Sequence, residues 1–138
     1  MDSANNRQWT DRHVLVVEDD PEINRLIGDY VEFAGFHYVA ALDGRHALSE
    51  MNERIPCAVV LDLMLPDVSG WEVCRRIKGD RQTQDVPVII LTALDNDDAR
   101  SEGMRSGASE YMTKPFDPDQ LLALLKKYAG AAVLGVEE

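Results

Sequence analysis

A chain of 138 residues, 45% of them apolar, is long enough to bury one core without disulfide or metal staples and too short for a second domain beside it. Its formal net charge of -11 repels nucleic acid and anionic membrane at long range, so neither is expected as a direct partner. Cys57 and Cys74 have no CxxC spacing and lie in apolar surroundings, no apolar run approaches the ~20 residues that span a bilayer, and no signal pattern opens the chain, which together place reduced thiols in a cytoplasmic protein.

Residues 1–12 are polar and aperiodic and read as a mobile lead, with Trp9 as its apolar anchor. His13 to Val17, HVLVV, is a continuous apolar strand that ends in Glu18, Asp19 and Asp20. Pro21 then suits the first turn of a helix in which Ile23, Leu26, Ile27, Tyr30, Val31 and Ala34 recur at three- and four-residue spacing until Gly35 stops it. Phe36 to Leu42 is a second strand, less uniformly apolar and so nearer an edge, and Asp43 and Gly44 turn into a helix carrying Ala47, Leu48 and Met51.

The third strand, from Ala58, is apolar on both faces and ends at a lone acid, Asp62. Pro66 and Gly70 force an irregular connection after it. Trp71, Val73, Cys74 and Ile77 mark a short helix. Val86 to Leu91 is the fourth strand, with Thr92 and Ala93 at its exit. The helix from Asp97 to Ser106 is weak, with little apolar content beyond Ala99 and Met104, and Gly103 within it costs about 1 kcal/mol relative to Ala. Ser109 to Thr113 is the fifth strand, Lys114 and Pro115 follow it, and Asp117 and Pro118 open an amphipathic helix through Leu121, Leu122, Leu124, Leu125 and Tyr128. Residues 130–138 are a tail that either frays or extends that helix, leaving 13–129 as the folded domain.

Five strands, each followed by a helix, make a parallel sheet with helices on both faces, because the crossovers are right-handed. The uniformly apolar first, third and fourth strands belong in the middle. The expected fold is therefore α/β, doubly wound and flavodoxin-like, with strand order 2-1-3-4-5. Its working crevice lies beyond the carboxyl ends of the strands, where Glu18, Asp19, Asp62, Thr92 and Lys114 all fall. Several carboxylates at one mouth call for a cation. Mg²⁺ fits an open acidic pocket, since it takes a few carboxylate oxygens and often recruits a phosphate oxygen. With Lys114 as a positive charge and Thr92 as a hydroxyl donor, such a site suits phosphoryl transfer to a carboxylate. Asp20, the third acid of its turn, is better placed to cap the first helix than to bind metal. His13, His37 and His46 lie away from the mouth.

The segments VVEDDPE, VVLDLMLPDVSG, VIILTA and EYMTKPF, in that order and spacing, resemble the receiver domain of two-component response regulators over His13 to Tyr128. The resemblance implies that Asp62 is the phosphoacceptor, that Glu18 and Asp19 are the acidic pair for Mg²⁺, and that the Met64 backbone carbonyl is a further ligand. It implies that Thr92 and Lys114 are the switch hydroxyl and the phosphate-binding lysine, Ala93 the small residue beside the phosphoryl group and Tyr111 the switch aromatic, with a cis peptide between Lys114 and Pro115. The implied partners are a sensor histidine kinase or histidine phosphotransfer protein and a downstream protein target on the face made by the fourth helix, fifth strand and fifth helix. Such a domain catalyses its own aspartyl phosphorylation and dephosphorylation and is not otherwise an enzyme.

Two departures carry expectations of their own. Met64 and Leu94 flank the path of the hydrolytic water and are apolar, so the phosphorylated form is expected to be long-lived. Glu102 stands where winged-helix members of the family carry a basic residue, which argues for a monomer or weak dimer. The competing reading is a metal-dependent aspartyl phosphatase of the haloacid dehalogenase kind, which places its nucleophile in a DxD motif after the first strand. EDDPE does not fit that motif. With no recognisable linker after the last helix, a stand-alone receiver is favoured over a fragment of a longer regulator.

Overall fold

The computed structural model describes residues 12–130, so the expected mobile lead falls outside the described residues except for Arg12, as does the tail beyond Gly130. The elements alternate throughout: β1 (His13–Val17), α1 (Pro21–Phe33), β2 (His37–Ala41), α2 (Gly44–Glu53), β3 (Ala58–Leu61), α3 (Gly70–Gly79), β4 (Val88–Thr92), α4 (Asp97–Arg105), β5 (Glu110–Thr113) and α5 (Pro118–Leu125). All pairings are parallel and the order is β2-β1-β3-β4-β5, as expected.

Side chains alternate across the sheet and divide the core in two. Leu15, Val17, Val59, Leu61 and Ile90 pack against α2, α3 and α4 through Met51, Val73, Ile77 and Ala99. Val14, Val16, Val60, Ile89 and Leu91 pack against α1 and α5 through Ile27, Val31, Leu121 and Leu125. β1, β3 and β4 are buried along their whole length, whereas β2 and β5 are partly exposed, in keeping with their edge positions.

Several boundaries differ from the expectations, β2 and β5 among them, each beginning one residue later than expected. β4 begins at Val88 because Pro87 has no N–H for the ladder and Val86 is drawn into the preceding turn, where its N–H donates to the Thr83 carbonyl at 3.0 Å. Thr92 is consequently the last residue of the strand and not its exit. α4 ends at Arg105, with Ser106 as its C-cap. The last helix continues as a π-helical turn over Lys126–Gly130 that buries Ala129, so the chain extends the helix at least to that point.

The weak fourth helix also has a positive feature that composition hides. Its buried residues are Ala99 and Gly103. A β-carbon on Gly103 would stand 2.9 Å from the Ile90 Cδ1 and 3.1 Å from the Tyr111 ring. The glycine lets α4 sit close on the sheet beside that ring.

Candidate functional site

Three loops and one strand end converge at the carboxyl edge of the sheet. β1 ends at Val17 in register with the last residues of β2 and β3, and the chain then turns through Glu18, Asp19 and Asp20. Asp20 accepts from the N–H groups of Glu22 (2.9 Å) and Ile23 (3.4 Å), so it caps α1 as expected and leaves the other two acids to the crevice. Glu18 is buried and Asp19 exposed.

Asp62 follows β3 directly, 5% exposed, and its Oδ1 accepts from the Met64 N–H at 3.0 Å. The Gly70 N–H returns to the Leu63 carbonyl at 2.9 Å, and a β-carbon there would collide with the Asp62 carbonyl oxygen, so glycine is needed for the loop to fold back. Lys114 arrives from β5, next to a cis peptide with Pro115. Its Nζ donates to Asp62 Oδ2 at 2.9 Å and to Glu18 Oε1. Thr92, fully buried, accepts from the Leu94 N–H at 3.4 Å, and the Leu94 carbonyl accepts from the Tyr111 hydroxyl at 2.9 Å. Tyr111 is 8% exposed, with the Arg100 guanidinium 4.7 Å from its ring centre. Ala93 and Met64 are exposed at the rim, and Leu94 is half-buried.

One lysine shared by two buried carboxylates divides them electrostatically. Burial raises the Glu18 pKa, and the opposing pulls of Lys114 and the Asp20 N–H do not cancel it, while the Asp62 charge adds to the rise. Burial acts in the same direction on Asp62, but there Lys114, the Met64 N–H and the Thr92 hydroxyl outweigh it and hold the pKa below the ordinary aspartate value. Burial would lower the Lys114 pKa, yet Glu18 and Asp62 together raise it, so the ammonium stays charged. Asp62 is thus ionised at neutral pH and needs no base to become a nucleophile.

A raised glutamate pKa means that the folded, Mg²⁺-free protein binds a proton more tightly than the unfolded chain, so this group's contribution to stability falls as pH rises from the ordinary glutamate range. Glu18→Gln is therefore expected to raise the denaturant midpoint at pH 7 without Mg²⁺, to lose that advantage at pH 4, and to bind Mg²⁺ more weakly than the parent. Urea titrations at the two pH values, with and without Mg²⁺, measure all three.

The carboxylates of Glu18, Asp19 and Asp62 offer ligand atoms that all lie within 4.8 Å of one another. Three hard oxygen donors at one open mouth suit Mg²⁺, which keeps part of its water shell and tolerates an incomplete protein cage. The donor set fits the ion.

Sequence reasoning overlooked Asn24. It is buried in α1, where its Nδ2 donates to the carbonyls of Val16 (3.1 Å), Glu18 (3.0 Å) and Ala41 (3.2 Å), while its Oδ1 accepts from the Tyr38 hydroxyl. It ties the ends of β1 and β2 beneath the acidic turn. The signal was present, since Asn24 lies on the same buried stripe as Ile27, Gly28 and Val31, where an amide must find partners. Asn24→Ala is expected to lower the unfolding free energy by about 2 kcal/mol, the cost of removing a buried amide and its hydrogen bonds to the strand ends and to Tyr38, as read by urea denaturation.

Comparison with known proteins agrees with this geometry. The family model described as response regulator receiver domain matches residues 14–126. The DNA-binding dual master transcriptional regulator RpaA of Synechocystis is 40% identical over 113 residues, covering 82% of this chain and 47% of that protein. The phosphate regulon transcriptional regulatory protein PhoB of Escherichia coli is 39% identical over 115 residues, covering 83% and 50% respectively. The chain thus spans about half the length of these relatives. Among solved structures, the BeF3-activated DrrB receiver domain superposes with a TM-score of 0.78 at 37% identity, covering 86% of this chain and 97% of that one. The receiver domain of sensor histidine kinase PA1611 from Pseudomonas aeruginosa, which has a magnesium ion coordinated in its active site cleft, gives 0.79 at 27% identity, covering 86% and 98%.

Proposed function

The chain belongs to the response regulator receiver domain family, and from that premise we propose that it is a phosphorylation-operated switch in which Asp62 accepts a phosphoryl group from the histidine of a sensor kinase or phosphotransfer protein. The observation that carries this reading is the meeting of Glu18, Asp19, Asp62 and Lys114 at one strand edge, with Lys114 bonded to two of the acids. Family membership does not favour the phosphatase alternative.

In the proposed transfer, an Asp62 carboxylate oxygen forms a bond to phosphorus as the bond from phosphorus to the donor nitrogen breaks and the donor leaves with the electron pair. Glu18, Asp19, Asp62 and the Met64 carbonyl are the groups to hold Mg²⁺, which when bound neutralises charge on the phosphoryl oxygens. Lys114 supplies a second positive charge to those oxygens and exchanges its carboxylate contacts for them. Ala93, with its small side chain, leaves the phosphoryl group room. The Thr92 hydroxyl, which already donates a hydrogen bond to Asp62 and accepts from the Leu94 N–H only at a long 3.4 Å, can turn toward the new anion. Such a turn bears on Leu94, whose carbonyl holds Tyr111, and so reaches the face built from α4, β5 and α5. A protein target docks there in the cytoplasm.

Within the chain, Glu102 pairs with Arg75 (3.1 Å) and Arg105 (2.8 Å), which fits a monomer or weak dimer more than an interchain charge network. The net charge of -11 keeps the domain itself off nucleic acid. Incubation with acetyl phosphate and Mg²⁺ tests the core of the proposal: intact-mass analysis should show one phosphoryl group per chain, and no uptake with Mg²⁺ present would sink it.

A further inference from the structure

The β3–α3 loop carries the Met64 carbonyl between Asp62 and Gly70, and much of it is exposed: Met64, Pro66, Asp67 and Ser69 all face solvent. Leu65 and Val68 pack at the margin of the core. Packing of two half-buried side chains holds such a loop weakly, and a metal ligand on it needs a firmer tie. Asp67 provides one. Its Oδ1 accepts from the Gly44 N–H at 2.8 Å and its Oδ2 from the Arg45 N–H at 3.0 Å, so both carboxylate oxygens close on the first turn of α2. Those N–H groups have no partner within their own helix. Asp43, the N-cap of α2, serves a different one, that of His46, at 2.7 Å. The contact is close as well as polar, since a β-carbon on Gly44 would lie 2.9 Å from the Val68 Cβ. Although desolvation opposes it, the N–H groups of Gly44, Val68 and Arg45 lower the Asp67 pKa to about 2, so the clamp is charged throughout the physiological range.

We propose that Asp67 is a positioning residue for the metal site: by clamping the β3–α3 loop to the N-terminus of α2 it holds the Met64 carbonyl and the Asp62 carboxylate in place for Mg²⁺. The proposal rests on the assignment of Mg²⁺ to Glu18, Asp19 and Asp62 made above. Asp67 touches none of those groups and acts through the loop alone. By linkage, a clamp that favours the bound ion must itself be tightened by the ion.

The test titrates Mg²⁺ alone into the full chain and into Asp67→Ala and Asp67→Asn, following amide resonances of Asp62, Met64, Gly44 and Arg45. Asp67→Ala is expected to bind Mg²⁺ about tenfold more weakly, the lower end of what loss of a ligand-orienting partner costs a metal site. Asp67→Asn, which keeps one acceptor oxygen, should fall between. In the parent, saturation with Mg²⁺ should slow hydrogen exchange at Gly44 and Arg45. A purely structural role would lower the unfolding midpoint while the folded variant kept its affinity. Should Asp67→Ala fail to fold, Asp67→Asn decides. Parent-like affinity in the variants, or exchange at Gly44 and Arg45 unmoved by an ion that does shift Asp62 and Met64, overturns the clamp and leaves the metal assignment standing. A parent chain that does not respond to Mg²⁺ brings down both.

Discussion

Asp62→Asn takes up no phosphoryl group from acetyl phosphate and Mg²⁺ under conditions that label the parent fully. The substitution replaces one carboxylate oxygen by an amide nitrogen and removes the negative charge that makes the group nucleophilic at neutral pH, where the parent aspartate is held ionised by Lys114, the Met64 N–H and the Thr92 hydroxyl against the effect of burial. The amide oxygen still accepts from Met64 as Oδ1 does at 3.0 Å, and Lys114, which loses its Oδ2 contact to the new amide nitrogen, keeps Glu18 as a partner, so the variant is expected to stay folded, which its urea midpoint checks. Loss of labelling therefore reports chemistry and not unfolding. Asp20→Asn is the matched control. Its carboxylate caps α1 through Glu22 and Ile23, and asparagine caps a helix about as well, so that variant keeps its label. Intact-mass analysis of the three proteins separates the outcomes; full labelling of Asp62→Asn would overturn the assignment of the acceptor.

Lys114→Met lowers the unfolding free energy at pH 7 by about 3 kcal/mol, the lower end of the cost of breaking a buried ion pair by removing one partner. Lys114 is the cation that the side chains of Glu18 and Asp62 share, and those side chains are 3% and 6% exposed, so its loss leaves two desolvated negative charges facing each other. Methionine retains much of the lysine's apolar stem, which keeps the packing loss small beside the electrostatic one. Two conditions relieve the penalty. Lowering the pH into the carboxylate range protonates the acids, and adding Mg²⁺ returns positive charge to them, so the deficit shrinks in both cases. Denaturant unfolding of parent and variant at pH 7 and pH 5, with and without Mg²⁺, measures it. A deficit indifferent to both pH and Mg²⁺ would show that Lys114 acts through packing and not charge.

Residue order alone determined the doubly wound sheet, its strand order and the edge on which the site lies. Uninterrupted apolar runs are what a strand buried on both faces requires; Asp62 and Thr92 stand at the end of such runs and Lys114 just past the more polar fifth strand, so local pattern was enough to send them to the same rim. The cap at Asp20 was legible for a similar reason, because a helix start is written within four residues.

Partnerships between distant segments were decided by tertiary structure. Lys114 bonds to an acid 96 residues away and to another 52 away, Asp67 reaches back 23 and 22 residues to the free N–H groups of Gly44 and Arg45, and Asn24 bridges two strand ends under the acidic turn. Gly103, which counts against a helix by propensity, lets that helix lie against Tyr111 and Ile90. Periodicity records which face of an element is buried. Which atoms then come within hydrogen-bond reach depends on how closely the helices settle on the sheet, and that distance is set by the packing of the whole core.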